Sequence, residues 1–221
     1  MEVIKHVPVI EVKRTFVLDD IIVKNLVESE EELTIDELRE RYDEARSQVE
    51  KIDEIELNRK IISNDEGGGP KRIQRYNERS WYEIWANLED IASWTKVRSL
   101  PIHATVGNVY DVVEYIYENP GCLDKPQHIN PNELKKPLES LLQNSEKLDF
   151  VRNDTHLILL NGKEVRGTDY NKWAIGKSDP TCDVLCELYE WTIDNGNVRA
   201  LALALEDYDT ALAYAGIPQK E

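Results

Sequence analysis

At 221 residues and 41% hydrophobic side chains, the chain is long enough to bury a core and too apolar to remain unfolded. Its net charge of −16 excludes a general polyanion binder, because phosphate neutralisation needs a basic footprint, and it favours basic partners or simple solubility. Three cysteines (Cys122, Cys182 and Cys186) make no disulfide framework, no apolar run reaches the length of a membrane span, and Met1 to His6 carries no signal-peptide pattern. The expectation is a cytoplasmic protein with no membrane partner.

Residues 3–27 are rich in β-branched side chains. They predict strands at 7–12 and 15–18 with a hairpin around Lys13-Arg14, and a strand or short helix over 21–27. An acidic linker at 28–32 precedes a sharp helix start. Thr34 and Glu37 match a capping box, with Leu33 and Leu38 placed as a hydrophobic staple. Ile35, Leu38, Tyr42, Ala45, Val49 and Ile52 then recur by threes and fours, which predicts one helix over 34–62. That seam either packs on a neighbouring helix or forms a self-association or partner seam.

Asn64 to Pro70 reads as a flexible tip, and its Gly-Gly-Gly lacks the Lys-Ser/Thr of a phosphate-binding loop. Lys71, Arg72, Arg75 and Arg79 form a basic cluster that can balance nearby acids or touch an acidic group. Ser80 and Glu83 match a second capping box, followed by Trp81, Ile84, Trp85, Leu88, Ile91 and Trp94 at helical spacing. The prediction is a helix over 81–97 and a helical hairpin of 34–62 against 81–97. Its aromatic face either fills the core or meets a partner, since Trp is favoured at binding hot spots. The candidate interface residues are Leu38, Tyr42, Val49, Trp81, Trp85 and Leu88.

From Asn108 the pattern sharpens. Asn108 with Asp111 starts a helix that carries Val109, Val112, Val113 and Ile116, and Asn119-Pro120-Gly121 stops it. Asn130-Pro131 starts a short helix over 131–135, and Pro137 opens a further helix over 137–147 with Leu138, Leu141 and Leu142 inward. Phe150 to Arg152 and His156 to Leu160 follow as extended segments, and Asn161-Gly162 predicts a hairpin returning through Lys163 to Val165. Three helices and a β-hairpin resemble the winged-helix arrangement of many nucleic-acid binders, over about a quarter of the chain. The arrangement implies Lys135, Lys136, Gln143, Asn144 and Lys147 as nucleic-acid contacts, with Arg152 on the wing. Against this, residues 106–166 carry a net charge of −3, and winged helices also serve as protein-interaction modules.

Asp179-Pro180 starts a broadly apolar helix that ends at Asn195-Gly196. Val198 to Tyr208 makes a final helix that restarts over 209–215. The fold class expected is α+β and mostly helical. It has an N-terminal unit, 1–98, containing the helical hairpin with its Gly-rich tip, and a winged-helix-like unit with C-terminal helices, 99–221.

Little chemistry stands out. Glu11-Val12-Lys13 matches half of a metal-dependent nuclease strand but lacks an earlier carboxylate strand. Cys182 and Cys186 share a helix face, yet Cys122, His6, His103, His128 and His156 show no paired metal-ligand spacing. No catalytic residue, cofactor or metal is assigned. The leading reading is a non-catalytic interaction or regulatory protein working through the helical hairpin and the winged-helix-like surface. The alternative is a sequence-specific DNA-binding regulator, and the third is a metal-dependent nuclease through Glu11 and Lys13.

Overall fold

The computed structural model describes residues 2–28, 33–64, 69–92, 108–119, 138–161 and 190–219. These residues form a mixed α/β fold in which helix predominates around one six-stranded mixed sheet. The elements are β1 (Glu2–Val7), α1 (Val9–Glu28), α2 (Ile35–Glu50), α3 (Glu54–Asn64), α4 (Gly69–Asn77), β2 (Arg79–Asn87), a 3₁₀ turn (Leu88–Asp90), β3 (Ile91–Ala92) and α5 (Val109–Glu118). A helical turn at 138–142 precedes α6 (Ser145–Asn153), β4 (Leu157–Asn161), β5 (Trp191–Asn195), α7 (Asn197–Leu205) and β6 (Thr210–Pro218). Strand order is β1-β2-β6-β4-β5-β3, with β4 parallel to β6 and β3 parallel to β5. Residues 1–98 and 99–221, expected as two units, each supply three strands to this one sheet.

The first 28 residues depart from the expected hairpin of strands at 7–12 and 15–18. Only Glu2–Val7 is extended, and Val9–Glu28 is a 20-residue helix. Val12, Lys13, Phe16, Val17 and Asp19 are buried, a spacing of three and four that a helix places on one stripe. Burial against the rest of the fold outweighs the β preference of Val, Ile and Thr. Glu11-Val12-Lys13 therefore lies on a helix. Glu11 pairs with Arg14, and the fully buried Lys13 reaches the half-exposed Glu54 at 2.7 Å, so the strand geometry of a nuclease half-site is not formed.

The capping box at Thr34 forms as expected, with Glu37 closing it reciprocally. The single helix over 34–62 does not: it breaks at Lys51–Asp53. Asp53 Oδ1 accepts the backbone N–H of Glu56 at 2.9 Å and caps a second helix, α3. Of the stretch expected as a flexible tip, Asn64 ends α3 and Gly69 and Pro70 belong to α4, and 65–68 lies outside the described residues. A Cβ on Gly69 would lie 2.5 Å from the backbone of Ile62, so the tight junction of α3 with α4 needs glycine there.

The largest departure is at 81–97. Residues 79–87 form a nine-residue strand paired with β1 on one side and β6 on the other. The helical hairpin of 34–62 against 81–97 is thus absent, and 93–97 lies outside the described residues. Ser80 pairs with Ile217 in the ladder, and Glu83 turns to Lys5 and His156 rather than back to Ser80. Trp81, Glu83 and Trp85 share one face of β2. On that face Tyr76 of α4 meets Trp81 edge-on at 5.3 Å, Phe16 of α1 meets Tyr76 at 6.5 Å, and Arg72 lies 4.5 Å from the Phe16 ring centre. The basic cluster of α4 is used inward: Arg72 Nε donates to buried Asp194 of β5 at 3.0 Å, Arg75 lies 3.6 Å from it, and the Tyr76 hydroxyl donates to it.

The region read as winged-helix-like is helical and then extended, with different neighbours. Asn108 and Asp111 make the expected reciprocal cap on α5. The helix predicted over 137–147 ends at 142, and Asn144 caps a new helix, α6, by accepting the N–H of Glu146 at 2.8 Å. Phe150 to Arg152, expected as extended, lie in that helix. Residues 131–137 and 162–165, including the predicted short helix and the return strand of the hairpin, lie outside the described residues. β4 is present at Leu157–Asn161, but it sits inside the sheet between β6 and β5. Its Leu157 to Leu160 are all buried, so it is a core strand and not a projecting wing. At the C-terminus, 191–195 is strand rather than helix end, α7 forms as expected, and the predicted restart over 209–215 is strand β6. Residues 211–216 of β6 are all buried, the continuous apolar pattern of an inner strand covered on both faces.

Candidate functional site

Where α6 runs into β4, the chain places His156 against the middle of the sheet. The ladder of β2 with β6 sets Glu83 opposite Tyr214. His156 bridges the two: its Nε2 lies 2.7 Å from Glu83 Oε1, and its ring stacks on Tyr214 at 4.0 Å with an 18° interplanar angle. Lys5 of β1 closes on the other Glu83 oxygen at 3.2 Å. Beside this group a cleft opens between α1, α2 and β6, lined by Glu11, Arg14, Tyr42, Arg46, Glu50 and His156 among others. Its volume of about 40 Å³ holds a few water molecules or the tip of one side chain.

The titrating groups here are displaced together. Burial pushes the His156 imidazole down to about 4, against the opposing pull of Glu83. Burial alone would raise the Glu83 carboxyl, but the bonds from His156 and Lys5 outweigh it and hold it below the usual range. Burial pushes the Tyr42 and Tyr214 hydroxyls up to about 12, with Asp19 adding to the first and Glu83 and Glu11 to the second. A neutral imidazole beside an ionised carboxylate fixes the tautomer: Nε2 donates to Glu83 and Nδ1 keeps its lone pair. A cleft in which several groups are shifted by burial and specific partners is a candidate site on physical grounds.

The charges on the rim are arranged in pairs. Arg14 bonds Glu11 and donates to the Glu50 backbone carbonyl at 2.9 Å, while Arg46 Nε donates to Glu50 at 3.2 Å. Arg14 Nε is buried with no hydrogen-bond partner among the described residues. The Tyr42 hydroxyl donates to the Asp154 carbonyl at 3.3 Å and ties α2 to the end of α6. A carboxylate-oriented imidazole is the base half of a hydrolytic triad. Among the described residues, none of the lining hydroxyls of Thr15, Tyr42 and Tyr214 bonds His156.

Protonation of His156 gives a pH prediction. The group titrates near 6.5 in the unfolded chain and at about 4 when folded, so the unfolded state binds the extra proton between those values. Its contribution is complete above about pH 6.5 and is lost as pH falls towards 4. At full effect this is on the order of 3 kcal/mol. Urea unfolding from pH 7 to 4 is expected to lose stability more steeply in the natural chain than in His156→Gln. Parallel curves would show that His156 is not held neutral.

The residues singled out for function fall mostly elsewhere. Leu38, Tyr42, Val49, Trp81 and Leu88 are core residues, each no more than 7% exposed, and Trp85 is half-buried beneath Arg152. Tyr42 and Val49 also line the cleft. Lys135 and Lys136 lie outside the described residues. Gln143 is exposed in the turn after 142, and Asn144 is occupied as a helix cap. Lys147 is 2% exposed, and Arg152 donates to Thr210 and lies over Trp85 and Tyr208. Among the described residues no group of three or more His, Cys, Asp or Glu could hold a metal ion, and no helix is long and apolar enough to cross a membrane. The three cysteines lie outside the described residues. The chain matches no protein-family model, no curated protein and no solved structure.

Proposed function

We propose that this chain is a non-catalytic interaction protein that receives a basic side chain of a partner protein at the rim of the His156 cleft. The observation that carries the reading is the cleft itself: a neutral, carboxylate-oriented imidazole, bonded to none of the lining hydroxyls among the described residues, in a cleft lined by Glu11, Glu50 and Asp154 with Arg14 and Arg46 paired to the first two. The net charge of −16 supports a basic partner, because a field of that sign draws cations and speeds their encounter. The role proposed for the helical hairpin passes to this cleft, because the seam residues Leu38, Tyr42 and Val49 pack inward. The regulatory, winged-helix-like reading with DNA as ligand is the competing proposal. Its contacts at Lys147 and Arg152 are engaged within the fold, so the same experiment carries a DNA arm.

The test compares two charge-matched variants in binding to lysine- and arginine-containing peptides. Glu11→Gln with Glu50→Gln removes two carboxylates from the cleft. Glu114→Gln with Glu118→Gln removes two from the exposed face of α5. The cleft variant is expected to weaken binding about tenfold or more and the α5 variant about twofold or less, because two carboxylates on one cleft rim act together on a bound cation while separate surface charges are screened. Equal losses would mean that the peptides feel only net charge, and the cleft assignment would fail.

A further inference from the structure

β1 is the outer strand of the sheet, and among the described residues it is hydrogen-bonded only to β2. Residues 3–6 are exposed in succession, with Val3 at 46% and Ile4 at 47%. A strand with one open edge and apolar side chains in solvent is a template for another strand unless it is blunted. The register against β2 is interrupted once: Val3 opposes Ile84 and Lys5 opposes Glu83, which leaves Ile4 as the extra residue of a bulge.

The bulge has a geometric result. With Ile4 set aside, positions 2 and 5 are two ladder steps apart. They therefore fall on one sheet face and share a hydrogen-bonding direction. Without it, positions 2 and 5 would fall on opposite faces and could not be paired across an antiparallel two-fold. We infer that β1 pairs with β1 of a second copy of this chain, antiparallel about a two-fold axis at Val3. That register sets Glu2 of each copy opposite Lys5 of the other, with Val3 and Ile4 of both copies meeting at the axis. The charge complementarity of the strand with itself selects a second copy as the occupant. It also extends a row of alternating charge, because Lys5 is bonded to Glu83. Two six-stranded sheets become one continuous sheet, and the symmetric contact closes on itself.

This inference does not depend on the cleft reading, and its test reads oligomeric state alone. Sedimentation of the full chain across low to high micromolar concentration should show a monomer–dimer equilibrium. Glu2→Lys creates two like-charge pairs across the axis and should raise the dissociation constant about tenfold or more. Glu44→Lys, the same charge change on exposed α2, should leave it unchanged. Val3→Cys should form a disulfide between copies under mild oxidation, located by peptide mass at position 3 of both chains, because paired strands bring Cα atoms to about 4.5–5.5 Å. A monomer at every concentration overturns the inference. So does a dimer that Glu2→Lys leaves intact, or a Val3→Cys chain that forms no link between the two substituted positions.

Discussion

Replacing Asp194 by alanine is expected to destabilise the fold by about 3–5 kcal/mol, because it strands two guanidinium groups that the carboxylate neutralises. Asp194 has no exposed side-chain surface and holds α4 to β5 through Arg72, Arg75 and the Tyr76 hydroxyl. Burial alone would raise its carboxyl, but the charges of Arg72 and Arg75 and the bond from Tyr76 keep it below the usual range. The cost comes from the orphaned cations more than from the lost bonds. Asp194→Leu combined with Arg72→Met should recover much of the loss, since an apolar pair of similar volume needs no desolvation. Arg75, with 15% of its side chain exposed, can turn to solvent. Urea midpoints for the single and double variants check this, and a double variant no better than Asp194→Ala would show that the cluster stabilises by its charge.

Trp81→Ala is expected to cost a similar amount, about 3–5 kcal/mol, for a different reason. The indole is 1% exposed, packs edge-on against Tyr76 and donates its Nε1–H to the Tyr76 carbonyl at 2.9 Å. Gly216 of β6 lies beneath it, where an added Cβ would come within 2.8 Å of the ring. Truncation therefore leaves a cavity between β2, β6 and α4 and an unbonded carbonyl at the end of α4. The urea midpoint should fall with an unchanged slope. A loss under about 1 kcal/mol would place Trp81 at a surface and revive its reading as a partner residue.

These two sites show what local pattern can and cannot report. Helix starts with reciprocal caps, at Thr34 and Asn108, are legible because the cap is complete within four residues. The buried stripe of Leu38, Tyr42, Ala45 and Val49 and the strand at Leu157–Asn161 are legible for the same local reason. β2 is not: Ser80-x-x-Glu83 and its apolar spacing fit a capped helix equally well, and the deciding partners, β1 and β6, lie at opposite ends of the chain. β6 escapes local pattern because alanine favours helix, and burial on both faces overrides that preference.

The site is harder still. Glu83 and His156 are 73 residues apart in sequence, and no spacing rule joins them. One signal is present. Glu83 stands between Trp81 and Trp85 in an apolar run, and a charge there needs a buried partner. The acids and bases of the rim give no such signal, because Arg14 with Glu11 and Arg46 with Glu50 read as ordinary neighbouring pairs on helices.

The most direct measurement is fluorescence anisotropy of labelled lysine- and arginine-containing peptides, and in parallel of mixed-sequence duplex DNA, against the purified chain at low and near-physiological salt. Saturable peptide binding that survives at the higher salt, with no duplex binding at either, is the expected result. Duplex binding that weakens steeply with salt, with the peptides unbound, would contradict it and return the chain to the DNA-regulator reading.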